Sequence, residues 1–184
     1  RITAYADRLL NDLKKIDWPN SIKEQQKNWI GKSSGLNIVF KTNNNLNISV
    51  FTTRPETIFG VTFLVLSPEH KILKDLSSKE QQEKIKKYQL DCSKKSELDR
   101  VSNINSISGV FTGAYALHPF SREKIPIWVS DYVLSNYGSG AIMAVPAHDS
   151  RDFKFAKKFE IKINQVIKNN NTVKEEPYLD KNGK

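Results

Sequence analysis

Between Tyr137 and Phe153 the chain runs through a glycine turn, a short apolar stretch, a proline and an acid. The stretch Ala141–Val145 is too short and too apolar for anything but a buried strand. Pro146 has no amide to give to a ladder, so the strand stops there. Asp149 then stands at the mouth of a helix, Ser150–Lys158, with Phe153, Ala156 and Phe159 on one face. A carboxylate is thereby delivered to a strand–helix junction beside the imidazole of His148, an arrangement able to hold a substrate cation. The same residues read as an ordinary N-cap, with Asp152 completing a weak capping box. The two roles are compatible. Amide donors keep a carboxylate ionised, and its second oxygen remains for an ammonium.

Other segments predict short strands at Asn37–Lys41, Leu46–Thr53, Val61–Leu66, Val110–Leu117, Ile125–Val129 and Ile163–Ile167. The Asn43-Asn44-Asn45 turn joins the first two as an antiparallel pair. Helices are expected at Ala4–Ile16 and Ser21–Asn28, with Trp29-Ile30-Gly31 opening the strand region. Lys79–Lys95 offers only Ile85, Tyr88 and Leu90 for burial and reads as a mostly solvated helix or arm. Many short strands with few helices predict an α+β fold, a small mixed β-barrel core with peripheral helices. The organisation expected is flanking linker helices over 1–28, one domain over 29–167 and a polar loop or tail over 168–184.

With 184 residues, the chain suffices for one buried domain, and 38% hydrophobic residues suit a globular one. A net charge of +9 favours an anionic partner, nucleic acid first, although Lys- and Asn-rich surfaces give the same balance. The single cysteine, Cys92, allows no internal disulfide and fits a reducing, cytoplasmic compartment. No apolar run reaches membrane-spanning length. His70, His118 and His148 lack ligand spacing, so no metal is expected.

A second chemical cluster, Thr52-Thr53-Arg54-Pro55-Glu56-Thr57, closes a predicted strand. Hydroxyls, a guanidinium and a carboxylate crowd a strand end, where loops carry function. Threonine also favours strands, and Arg-Pro-Glu is an ordinary turn. The chain has no Gly-x-Ser-x-Gly elbow, Walker loop or Rossmann glycine pattern. Any hydrolysis is expected to proceed without a covalent nucleophile.

Taken together, these blocks resemble the editing domain of bacterial-type leucyl-tRNA synthetases, the insertion called connective polypeptide 1. Trp29-Ile30-Gly31-Lys32-Ser33-Ser34-Gly35 resembles that family's Trp-Ile-Gly-Arg-Ser-Glu-Gly, with Ser34 in place of the acid. Phe51–Gly60 resembles its threonine-rich motif, with Glu56 where many members carry Asp. Gly109-Val110-Phe111-Thr112-Gly113, His118-Pro119 and Ile125-Pro126-Ile127-Trp128-Val129 follow in family order. Tyr137–Phe153 resembles the second editing motif, with Ser139 and Ala147 as departures. Ala141–Val145 before the proline favours the leucine branch over valyl- and isoleucyl-tRNA synthetase editing domains. Motifs for leucine activation are absent, so the chain reads as a fragment of a synthetase, and the resemblance implies a last editing element beyond Lys184.

The resemblance implies hydrolysis of the ester on the 3′-terminal adenosine of tRNA(Leu) mischarged with norvaline, isoleucine or methionine. It implies Asp149 as anchor of the α-ammonium and Thr53 as the group placing water or steadying developing charge. Thr52 would touch the substrate or terminal ribose, and Arg54 would order the motif or face the tRNA end. Thr57, Ile142, Met143 and Val145 would shape the side-chain pocket, with Tyr137 and His148 also contacting substrate. Partners are the tRNA 3′ CCA end and the rest of the synthetase, with no membrane. Editing needs no cofactor, since ATP and magnesium serve only the parent enzyme's synthetic site. A binding module that holds the tRNA end without chemistry is the alternative.

Overall fold

The computed structural model describes residues 2–96, 99–100, 107–136, 138–167 and 176–179. The chain divides into two compact units, Arg1–Ser34 and Gly35–Lys184.

In the first unit a 3-10 turn, Ile2–Tyr5, leads into α1 (Ala6–Asp12), and α2 follows (Asn20–Ile30). The predicted helix to Ile16 stops four residues early: Lys14 and Lys15 bond back to Asn11 and Asp12, so the ladder tightens into turns. Trp29 and Ile30 do not open a strand. They form the last turn of α2, which ends only where Gly31 enters the left-handed region at φ 64° and returns its N–H to the Lys27 carbonyl.

The second unit is a nearly closed six-stranded barrel with helices on its surface. Its strands are β1 (Leu36–Thr42), β2 (Asn47–Thr52), β3 (Phe63–Leu66), β4 (Val110–Leu117), β5 (Lys124–Val129) and β6 (Ala141–Ala144). They lie in the order β2-β1-β4-β5-β3-β6. Only β3 and β5 run parallel; the other pairs are antiparallel. The two edge strands, β2 and β6, come back against each other, and the Ser139 hydroxyl donates to the Ser49 carbonyl across the gap. The β1–β2 hairpin turns through Asn45 at φ 59°, with Thr42 Oγ1 accepting the Leu46 amide at 3.0 Å.

Strand alternation splits the apolar residues into two layers. Phe40, Ile48, Val50, Leu64, Leu66, Ile127 and Met143 fill the barrel. Phe63, Val65, Ile142 and Trp128 face outward and meet α5 (Ser150–Lys158) through Phe155 and Phe159. Phe155 stacks on Phe63 with ring centroids 5.2 Å apart and meets Trp128 edge-on. β3 is therefore apolar at every position because both of its faces are covered.

The short helix α3 (Leu73–Leu76) and the longer α4 (Lys79–Ser93) flank the barrel. On α4, Ile85 and Cys92 are buried whereas Leu90 is 61% exposed. Tyr88 is half-buried, its hydroxyl donating to Ser108 Oγ, which itself donates to Asp131 Oδ1, and accepting the Asp131 amide. Ile161–Ile167 forms no strand. Among the described residues it has no ladder partner, and it is held by a side chain described below.

Candidate functional site

The threonine-rich segment leaves β2 and folds into a 3-10 turn, Pro55–Gly60. Pro55 suits the first position of such a turn because its fixed φ is already helical and no donor is wasted. Thr52 Oγ1 accepts the Arg54 amide at 3.1 Å, closing a side-chain turn. Thr57 gives both its amide and its hydroxyl, at 2.8 Å, to the Arg54 carbonyl, and it is buried. Arg54 Nε donates to Glu56 at 3.0 Å. Thr53 is exposed at the corner between strand and turn. The hydroxyls of Thr52 and Thr57 thus hold the loop's own backbone, and Thr53 faces outward.

The second segment leaves β6. The Ala144 carbonyl accepts the Thr62 amide, and the Val145 carbonyl accepts the amides of His148 and Asp149. Asp149 is extended at φ −137°, ψ 130°, and caps α5: its Oδ1 takes the Arg151 amide at 2.8 Å and the Asp152 amide at 3.0 Å. Among the described residues nothing donates to its Oδ2.

Asp152 does not complete a capping box. Its carboxylate turns inward, accepting the Val145 amide at 2.9 Å and the Tyr132 hydroxyl at 3.0 Å. Burial first, and then the neighbouring charge of Asp149, push its pKa up to about 7 against the lowering effect of its hydrogen bonds. Tyr132 is driven well above the ordinary phenol range by burial first and then by Asp152.

His148 is buried and fully engaged. Nε2 accepts the amides of Val166 at 3.4 Å and Ile167 at 3.2 Å, so Nδ1 carries the proton and donates to the Tyr178 carbonyl at 3.1 Å. Burial lowers its pKa, the Tyr178 bond raises it, and the positive charge of Arg54 lowers it again. A ring pinned by three backbone groups fastens the later chain to the Asp149 loop; it presents no nitrogen for a substrate.

The two segments meet. Arg54 lies near enough to act on His148. A Cβ at Gly60 would stand 3.0 Å from Val145 Cγ1 and 2.9 Å from Val166 Cγ2, so only glycine allows this approach. Thr57, Met143 and Val145 are all buried, and Met143 and Val145 belong to the barrel interior. Ile142 is not brought to them: it faces the α5 layer on the other side of β6. Tyr137 lies outside the described residues. Sequence reading missed the inward carboxylate of Asp152 and its partner Tyr132. The available signal was a second acid three positions after Asp149, and the partner twenty residues away is invisible locally.

Chemically, the place offers a carboxylate with one uncommitted oxygen, a guanidinium, an exposed hydroxyl and apolar walls. Among the described residues no group of three or more His, Cys, Asp or Glu could hold a metal ion, and no helix is long and apolar enough to cross a membrane.

A family described as "Leucyl-tRNA synthetase, editing domain" matches residues 27–183. Among solved structures, the chain is similar to the Agrobacterium radiobacter K84 agnB2 LeuRS in its ternary complex with tRNA and LeuAMS. The TM-score is 0.76 at 37% identity, over 90% of this chain and 20% of that one. The chain thus spans a fifth of the length of that relative.

Proposed function

This chain belongs to the leucyl-tRNA synthetase editing-domain family, and we propose that it hydrolyses the aminoacyl ester of tRNA(Leu) carrying norvaline, isoleucine or methionine. One observation carries the reading. Asp149 commits Oδ1 to the amides of α5 and keeps Oδ2 available, on a loop that meets the Thr52–Thr57 turn. That oxygen suits the α-ammonium of an aminoacyl ester through a charge-assisted bond.

The chemistry then needs little beyond orientation. Water attacks the ester carbonyl carbon, the bond to the ribose oxygen breaks, and that oxygen takes the proton. The ester is already activated by its α-ammonium and the neighbouring ribose hydroxyl. Positioning water and ester can remove on the order of 7 kcal/mol of barrier. Thr53, exposed at the loop corner, places the water or steadies the developing oxyanion. Arg54 faces the RNA end, and Thr52 supports the turn while touching the terminal ribose.

Selectivity is assigned to Thr57. Its hydroxyl is spent on the Arg54 carbonyl, so its methyl is the surface left to a substrate side chain. A branched leucine side chain collides with it, whereas norvaline and similar chains pass. Such a second sieve is needed because one methylene is worth only about 1–3 kcal/mol of discrimination; synthetases are the standard illustration of this editing logic. Met143 and Val145 complete the apolar wall, and His148 contributes by fixing the loop.

The test is deacylation of norvalyl- and isoleucyl-tRNA(Leu) by the wild-type chain and by Asp149→Ala. The variant is expected to lose activity while giving up about 1 kcal/mol of stability for the missing cap. Wild-type rates in the variant would leave Asp149 a cap only. No deacylation by the wild type, with tRNA binding retained, would leave a binding module.

A further inference from the structure

Behind the Gly138–Gly140 loop, two cavities share Glu69, His70 and Lys71. The larger, about 870 Å³, lies between α3 and α4 and carries Lys71, Lys74, Lys86 and Gln82 over a floor of Leu73 and Ile85. The smaller, about 260 Å³, runs from Lys71 to Ser135, Ser139 and Gly140. The shared residues make them one track that ends at the loop carrying the second editing motif.

The charge along this track is one-sided. Lys71, Lys74 and Lys86 are exposed, and among the described residues none is in an ion pair. The single acid on the lining, Glu69, is already neutralised by Arg100 at 2.7 Å. Asp75, Glu80 and Glu83 belong to the same two helices but do not line the track. At its inner end the Ser67 hydroxyl is completely buried without a hydrogen-bond partner among the described residues, a costly state that an entering polar atom would relieve. His70 supplies structure, accepting the Ile72 amide on Nδ1 and bonding the Ser139 backbone. The loop is thus fixed against the end of the track.

We propose that this track binds the phosphodiester backbone of the tRNA as its 3′ end approaches the Gly138–Gly140 loop, with Lys71, Lys74 and Lys86 contacting phosphates. The inference rests on the proposed RNA substrate. It adds a path on the barrel surface that neither Asp149 nor Thr53 lines.

Phosphate contacts by lysine displace condensed counterions, so each contact adds to the salt dependence of binding. The experiment measures tRNA(Leu) binding by the 184-residue chain at several salt concentrations. Wild type is compared with K71Q/K74Q/K86Q and with K79Q/K84Q/K87Q, a triple variant of the same charge change made off the track. Removing three contacts to single-stranded RNA should flatten the slope of log K against log salt by about 2. Between about 50 and 200 mM salt, wild type should therefore lose about 16-fold more affinity than the track variant. The off-track variant should keep the wild-type slope. Norvalyl-tRNA deacylation by the track variant should show a raised KM with kcat unchanged.

An unchanged slope in the track variant, or an equal change in both variants, overturns the path while leaving the editing reading intact. Failure of the wild-type chain both to bind tRNA and to deacylate it overturns the editing reading, and the path with it.

Discussion

Asp152 makes the sharpest physical prediction. The folded chain holds its carboxyl at about 7, against an ordinary value of 3.8. The folded state therefore binds this proton more tightly than the unfolded one. The associated stability is complete below about pH 4 and is lost as pH rises through about 7. At about 1.4 kcal/mol per pH unit, the gap corresponds to about 4 kcal/mol. Asp152→Asn removes the titration and keeps the shape: the amide oxygen can accept the Val145 N–H, and its NH2 can donate to the Tyr132 oxygen. Urea unfolding of both proteins at pH values from 4 to 8 gives the comparison. Wild type should lose up to about 4 kcal/mol relative to the variant across that range, most of it between pH 5 and 7. Asp149→Asn should move the wild-type transition to lower pH, because the second source of the shift is the Asp149 charge. A stability difference that stays constant within about 1 kcal/mol from pH 4 to 8 would refute the buried-proton argument.

Thr57→Ala should give the chain hydrolysis of correctly charged leucyl-tRNA(Leu), measured as release of labelled leucine, and cost about 1 kcal/mol for the lost bond to Arg54; continued sparing of leucine would remove Thr57 as the sieve. His148 has a pKa lowered below 6.5, so the folded state binds fewer protons than the unfolded one. Its stabilisation is present above pH 6.5 and should fade as pH drops below that value, with Ile161–Ile167 becoming open to proteolysis first. A His148→Ala variant should show that proteolysis even at pH 8, and equal resistance in both proteins would contradict the fastening role.

β4 and α5 have the bounds that their local pattern predicts, Val110–Leu117 and Ser150–Lys158. The first is an apolar run bracketed by Gly109 and the His118-Pro119 turn; the second starts on a capping acid. Local signals sufficed there because the deciding forces are themselves local. Ile163–Ile167 has the same strand-like composition, yet its Val166 and Ile167 amides go to the His148 ring, a competitor far away in sequence. Trp29 and Ile30 have β propensity but extend an existing helix, where each added residue gains a backbone bond without a new nucleus. Cys92 is buried in a charged stretch because only one side of α4 meets the barrel. The cap role of Asp149 was legible from position alone. The inward turn of Asp152 was not, because its partner Tyr132 comes from the turn after β5, twenty residues away.

The candidate site straddles the place where the barrel shuts. One loop leaves β2 near residue 52 and the other leaves β6 near residue 144, strands remote in the chain and adjacent only once the sheet has curled round. Half of the machinery therefore sits on either side of a seam between strands β2 and β6. Parting β2 from β6 would draw the acidic lip away from the hydroxyl-bearing lip and, because Ile48, Val50 and Met143 sit on those strands, would open the barrel core with it. Integrity of the candidate site and closure of the barrel become one condition.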